Sequence, residues 1–187
     1  MKRISKIAMF VMALAFANIG KAQMKEKTVE VGGAAMYPSK NIIENAVNSK
    51  DHTTLVAAVK AAGLVETLQG AGPFTVFAPT NMAFDKLPKG TVETLLKPEN
   101  KAMLTGILTY HVVAGKWDSK DLMQKIKEGN GTAELTTVQG GKLWAMMKGN
   151  HIVLKDEKGG MSMVTIKDVY QSNGVIHVID TVVMPKG

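Results

Sequence analysis

The sequence predicts an α+β fold, with most helices in its N-terminal part and antiparallel strands in its C-terminal part. Between residues 39 and 129, apolar residues recur mainly at the three- and four-residue spacing of a helix face. After Gly131 the pattern changes to short alternating segments separated by glycine-containing turns. A run of helices followed by a run of strands is typical of α+β domains. The 187 residues, 45% of them hydrophobic and 21% charged, suffice for one domain with its own core.

The N-terminus has the composition of a secretory signal peptide. Three basic residues within the first six precede an apolar run over 7–19. This run is shorter than the ~20 residues that span a bilayer, so residues 1–22 predict a signal peptide cleaved after Ala22. Four of the 23 Lys and Arg residues lie in this segment and none of the 16 acidic residues does, so cleavage lowers the net charge from +7 to +3. We therefore expect a secreted or periplasmic protein with no membrane span after cleavage.

The remaining chain divides into a leader and one domain. Residues 23–36 show little periodicity and predict a flexible leader, whereas residues 37–187 predict a single domain without a linker. Ser39 is a plausible cap for the first helix, and Gly63 ends the second. A short strand then ends at Pro79, after which Thr80 or Asn81 can cap the next helix.

The C-terminal part predicts a set of hairpins. Pairs that contain glycine, Asn173-Gly174 among them, separate segments rich in β-branched and aliphatic residues. Asn-Gly between apolar segments is a strong hairpin signal because both residues tolerate a positive φ. The predicted strands are 133–138, 142–147, 151–155, 161–165 and 175–183.

Two segments carry a family resemblance. Residues 73–81 read PFTVFAPTN, and residues 173–180 read NGVIHVID before a closing Met184-Pro185. With the central LTYHVV at 108–113 and the opening helix pair, they resemble the landmarks of the fasciclin (FAS1) domain, in the family's order, over roughly 37–186. The resemblance implies a β-sandwich wedge packed with helices. It also implies a non-enzymatic extracellular module for adhesion.

The resemblance also implies candidate residues for partner binding. Asp168-Val169 stands where animal relatives have an Asp-Ile pair linked to adhesion, with Val in place of Ile here. Tyr110-His111 matches the family's Tyr-His motif, which is also linked to adhesion. Both motifs can also have a purely structural role. Asp168 can accept hydrogen bonds from backbone N–H groups of a turn, and the polar atoms of a buried Tyr or His commonly form hydrogen bonds inside the protein. Because residues 109–113 read as extended, we expect only one of Tyr110 and His111 to point into the core.

The residues of the predicted strand 142–147 indicate a candidate apolar surface. Trp144 and Met146 alternate with Leu143, Ala145 and Met147, so both faces of this strand are apolar. One face would be core, and the other would be either covered by a helix or loop or left as an exposed patch of the kind that marks interaction sites. Met161 and Met163 on a neighbouring predicted strand extend this second face.

Other classes of site lack their motifs. The four histidines show no metal-ligand spacing, and the chain has no cysteine. No nucleophile elbow or phosphate loop is present, so we expect no cofactor, no metal and no catalytic residue. Beyond the signal peptide the chain has no arginine and no basic stripe, which argues against nucleic-acid binding.

The sequence therefore predicts an exported binding module for an extracellular or periplasmic protein or polysaccharide. The alternative is a periplasmic carrier that holds a small apolar molecule between helices and sheet, near the methionine-rich strands.

Overall fold

The computed structural model describes residues 26–186, and these residues confirm the α+β class. The predicted signal peptide, residues 1–22, lies outside the described residues. The helices are α1 (Ile42–Ala46), α2 (Thr53–Ala62), α3 (Val65–Gln69), α4 (Asn81–Asp85), α5 (Thr91–Leu95), α6 (Lys101–Tyr110) and α7 (Ser119–Glu128), with short 3-10 turns at Lys50–His52 and Pro98–Asn100. The strands are β1 (Val29–Val31), β2 (Ala34–Met36), β3 (Phe74–Pro79), β4 (Val112–Ala114), β5 (Thr132–Thr136), β6 (Lys142–Lys148), β7 (His151–Lys155), β8 (Met161–Gln171) and β9 (Gly174–Ile179).

Seven strands form one sheet in the order β4-β3-β9-β8-β7-β6-β5. Neighbouring strands are antiparallel, as the sequence predicts, except that β3 and β9 run parallel. The two edge strands meet, because Val113 bridges to Thr137 and the Val138 N–H donates to the Val112 carbonyl at 2.7 Å. This contact nearly closes the sheet into a barrel and covers both of its edges, which otherwise expose unpaired backbone groups.

The near-barrel separates two hydrophobic cores. The inner core packs side chains such as Phe77 of β3, Leu154 of β7 and Ile179 of β9 against Leu122 of α7. The outer core packs the other face of β3 and β9 against α1 to α6. Within residues 26–186, helices therefore cover the outer face at the β3 and β9 end of the sheet and leave the β6 to β8 part without a helix.

The N-terminal hairpin corrects the predicted leader. Residues 23–36 were expected to be flexible, but β1 and β2 pair antiparallel from Val29 to Met36. Val31 and Met36 are buried in the outer core. The prediction is therefore wrong for this hairpin: its apolar residues are too few to show periodicity, yet they pack against the helices.

Two helix boundaries differ from expectation and one agrees. Asn41, not Ser39, caps α1, because it forms a reciprocal capping box with Glu44. The Thr80 side chain accepts from the Ala83 N–H at 3.2 Å, so Thr80 is the cap of α4 among the two predicted candidates, Thr80 and Asn81. Helix α6 continues through Tyr110, so the expected extended segment over 109–113 is limited to β4.

The two segments that carried the resemblance are neighbours in the fold. Strand β3 pairs in register with β9, from Phe74 opposite Gly174 to Pro79 opposite Ile179. A side chain at Gly174 would collide with the Phe74 backbone, so the pairing requires glycine there. The adjacent Asn173 side chain is buried. It accepts from the Ile42 N–H at 3.1 Å and donates to the Leu68 and Gly70 carbonyls at 2.8 and 2.9 Å.

Candidate functional site

Tyr110 and His111 both lie inside the protein. Tyr110 ends α6 and His111 follows it, with side chains 0% and 2% exposed. The expectation that only one of them points inward is wrong, because it assumed the opposite-facing geometry of a strand. At a helix end, consecutive side chains are separated by about 100° and can both face the surrounding core.

Both ring nitrogens of His111 have partners. Nδ1 lies 2.8 Å from the Ile107 carbonyl, and Nε2 accepts from the Val183 N–H at 3.2 Å. This pair of bonds assigns the proton to Nδ1 and requires a neutral ring. Burial lowers the pKa of His111 to about 4, although the Ile107 carbonyl acts in the opposite direction.

The Tyr110 hydroxyl joins three elements. It donates to the Lys142 carbonyl of β6 at 2.5 Å and accepts from the Glu157 N–H in the turn after β7 at 3.1 Å. Burial raises the pKa of Tyr110 to about 12, so the group stays protonated. The hydroxyl therefore fastens α6 to the sheet, and neither member of the Tyr-His pair faces solvent.

Asp168 and Val169 occupy an irregular part of β8. The β8–β9 register shifts between Ile166 and Val169, and Asp168 takes a positive φ of 60°. Both carboxylate oxygens of Asp168 accept from Ser119, one from its N–H and one from its hydroxyl, each at 2.6 Å. Val169 is fully buried in the outer core. Asp168 therefore holds the start of α7 on the sheet, and its carboxylate is only partly exposed.

The predicted apolar surface is the uncovered outer face of β6, β7 and β8. Trp144 and Met146 lie half-buried on β6, and Met161 and Met163 of β8 are 46% and 37% exposed. Cross-strand register places Met146 and Met163 on either side of Val153, and Trp144 and Met161 on either side of Lys155. The structure therefore brings all four predicted residues onto one face. We call this surface the open face: Trp144, Met146, Val153, Met161 and Met163.

Val153 is the member that the sequence analysis missed. It is 4% exposed although no helix covers it, because methionines flank it on both neighbouring strands. The alternation of β7 could have placed Val153 outward, but an outward-facing valine gives no sequence signal of its own. Its burial indicates that the side chains of Met146 and Met163 pack over it, so these three residues form one apolar patch beside Lys155.

Lysines and one carboxylate lie around the apolar side chains of the open face, and the carboxylate, Glu134, is directly opposite Trp144 in the β5–β6 register. Lys142 and Lys148 lie at the two ends of β6, and Lys155 lies within the face on β7. Lys142 pairs with Glu134 of β5 at 2.9 Å, and this ammonium group holds the pKa of Glu134 below its usual range. Among the described residues, Lys148 and Lys155 make no salt bridge. The face therefore combines apolar side chains with lysines free to meet an anionic group.

The described residues contain no cluster of three or more His, Asp or Glu side chains placed to hold a metal ion. His177 stacks on Phe77 with ring centroids 5.7 Å apart, and its Nε2 lies 2.8 Å from the Trp117 carbonyl. Burial lowers the pKa of His177, so the ring is a neutral part of the inner core. Within residues 26–186, no helix has the length and apolar character to cross a bilayer.

The described residues form an α+β near-barrel whose outer face is covered by helices at one end of the sheet and open at the other. The family model for the fasciclin domain matches residues 50–185. Protein sll1483 of Synechocystis sp. is 43% identical over 191 residues, which cover 99% of each chain. Immunogenic protein MPB70 of Mycobacterium bovis is 38% identical over 145 residues, 75% of this chain and 66% of MPB70. The chain belongs to the fasciclin domain family.

A solved structure agrees with this assignment at the level of the fold. The FAS1 domain pair of Fasciclin I, an insect cell adhesion molecule, superposes with a TM-score of 0.70 over 85% of this chain and 58% of that chain. At 17% sequence identity, this similarity is evidence for a shared fold and not for a shared function. The predicted family and the predicted fold class are therefore confirmed.

Proposed function

We propose that this protein is an exported, non-enzymatic binding module that holds an acidic extracellular or periplasmic partner, a polysaccharide or a protein, on its open face. The observation that carries the proposal is the uncovered apolar layer of Trp144, Met146, Val153, Met161 and Met163. Contiguous exposed apolar surface on a folded domain is typical of interaction sites.

The chemistry of the open face suits an anionic partner. Trp144 offers an aromatic ring against which a sugar ring or an apolar side chain can pack. Lys148 and Lys155 supply positive charge at the border and centre of the face, which favours carboxylate or sulfate groups. Flexible methionine side chains adapt to partners of different shape.

The buried motifs support the same assignment of the surface. Tyr110, His111 and Val169 are buried, and Asp168 spends both carboxylate oxygens on Ser119. In this chain their role is to hold α6 and α7 on the sheet. A partner that approaches from solvent meets the open face instead.

The test is an array of acidic and neutral polysaccharides and matrix proteins, probed at low and high salt. We expect binding to acidic polymers, weakened by salt because lysines contribute to it. Trp144→Ala and Lys155→Glu should each lower the affinity about tenfold or more, since they remove the stacking ring and reverse the central charge.

Lys127→Glu is the matched charge control, because Lys127 is exposed on α7, whose buried side packs in the inner core, and does not belong to the open face. It should leave binding unchanged. Binding that survives Trp144→Ala and Lys155→Glu, or that fails equally in Lys127→Glu, would contradict the assignment of the open face.

A further inference from the structure

An apolar cavity lies on the other part of the sheet, between the helices and the outer face of β3 and β9. Its volume is about 70 Å³. Its walls come from α1, α2 and α3 on one side and from Val76, Ala78 and Ile176 on the other. The sequence analysis expected a carrier cavity near the methionine-rich strands, and this location is wrong: the cavity is in the outer core, not under the open face.

The interior of the cavity is uncharged. Aliphatic side chains such as Leu55, Val59 and Leu68 form most of its lining. His52 is buried in the wall, with Nδ1 2.9 Å from the Ser49 hydroxyl and with Nε2 making no hydrogen bond among the described residues. Burial lowers the pKa of His52, although the nearby Ala78 carbonyl acts in the opposite direction. The interior therefore suits an apolar group rather than an ion or a chain of waters.

One charged side chain marks the entrance. Among the described residues that line the cavity, Lys60 carries the charge, and no Asp or Glu accompanies it. Lys60 and Thr67 are exposed, so the lining reaches from the core to the surface of α2 and α3. A lysine packs its methylene stem along apolar surface and keeps its ammonium group in water. The Lys60 ammonium group therefore lies where the polar head group of a ligand would remain when its apolar chain is inside the cavity.

We propose that this cavity is a binding site for a linear monoacyl amphiphile, with the chain inside and an anionic head group beside Lys60. The size fits the inner part of a short chain: one water-sized group needs about 10–15 Å³, so the cavity accepts roughly five such groups, and the last carbons of an eight-carbon chain extend toward Lys60. The burial of each methylene in the cavity strengthens binding, because it removes apolar surface from water. This site is separate from the open face and does not rest on the function proposed for that face.

The experiment is isothermal titration calorimetry of the purified protein with three eight-carbon probes: octanoate, 1-octanol and octyltrimethylammonium. The probes share their chain and differ in head-group charge. We expect octanoate to bind most tightly, octanol next and the cation most weakly. Equal affinities, or no binding of any probe, would overturn the proposal.

Two variants separate the chain contribution from the head-group contribution. Lys60→Glu changes an exposed residue, and it should weaken octanoate about tenfold while leaving octanol unchanged. Ala46→Leu places a larger side chain in the wall of the cavity and should weaken all three probes. Lys127→Glu on α7 is the control and should bind octanoate like the wild type. Octanoate binding that falls equally in Lys127→Glu, or that does not change in Lys60→Glu, would contradict the site.

Discussion

At the residue scale, the polar groups of the two motif regions already have partners inside the protein. His111 uses both ring nitrogens, Tyr110 donates and accepts, and Asp168 binds Ser119 with both oxygens. Buried polar groups that lose a partner cost more than the bond itself contributes, because the remaining group stays desolvated. Substitutions at these residues should therefore act first on stability.

His111 makes stability depend on pH. In the unfolded chain the ring binds a proton near pH 6.5, but in the folded protein its pKa is about 4. Unfolding takes up a proton between these values, so the free energy of unfolding should fall as the pH falls from about 6.5 to about 4, by about 3 kcal/mol from this residue. Above about pH 6.5 the contribution is complete.

Urea unfolding across this pH range measures the effect. In His111→Gln the fall should be shallower, whereas His151→Gln, which changes an exposed ring on β7, should keep the wild-type slope. Equal slopes in wild type and His111→Gln would contradict the assignment of the neutral, doubly bonded ring.

Two substitutions at Asp168 separate the contribution of its backbone conformation to stability from that of its side-chain hydrogen bonds. Asp168→Ala removes both bonds to Ser119 and places alanine at a φ of 60°, so we expect a loss of about 2–3 kcal/mol in the free energy of unfolding. Asp168→Asn keeps a residue that tolerates this φ and one acceptor oxygen, so it should lose about 1 kcal/mol. Glu66→Ala, at an exposed position on α3, is the control for urea unfolding. A wild-type free energy of unfolding in Asp168→Ala would contradict the structural role.

At the scale of elements, single side chains connect parts of the fold that are distant in sequence. Asn173, in the β8–β9 turn, bonds to the start of α1 and to the end of α3. Asp156, in the turn after β7, accepts from the Gly160 and Met184 N–H groups and so holds the chain after β9. These contacts fix how the helices and the C-terminus sit on the near-barrel.

Asn173→Ala should destabilise the protein by about 3 kcal/mol. The change leaves the Ile42 N–H and two carbonyl groups without partners in a buried setting. Denaturant unfolding should show this loss, with Asn150→Ala in an exposed turn unchanged. A loss in Asn173→Ala no larger than in Asn150→Ala would show that Asn173 does not connect the helices to the sheet.

At the scale of the whole molecule, the helices cover one part of the outer sheet face and leave the other part open. The sequence predicted that both faces of β6 are apolar, because apolar residues follow one another along that strand, but it left open whether the second face is covered. It also predicted the α+β class and a cap at Thr80 or Asn81, since both depend on local patterns. These are features in which neighbouring residues carry the information.

The features that the sequence did not predict depend on distant contacts. The parallel pairing of β3 with β9 joins segments about a hundred residues apart. Asp156 stands in the charged segment Lys155-Asp156-Glu157-Lys158, which is typical of a solvated turn, yet it is 4% exposed and accepts hydrogen bonds from the Gly160 and Met184 N–H groups. Likewise, the burial of the hairpin Val29–Met36 depends on helices that follow it in the chain. The hydrophobic periodicity around these residues gives no information about contacts with segments that are distant in the sequence.

The central claim is that partners bind at the open face and not at the buried motifs. Two-dimensional NMR of the ¹⁵N-labelled protein, titrated with an acidic polysaccharide such as polygalacturonate, tests it most directly. We expect chemical-shift changes at the Trp144 indole N–H and at the backbone of Met146, Lys155 and Met163, reduced in Lys155→Glu. Changes centred on Tyr110, His111 and Asp168, with the open face unchanged, would contradict the account.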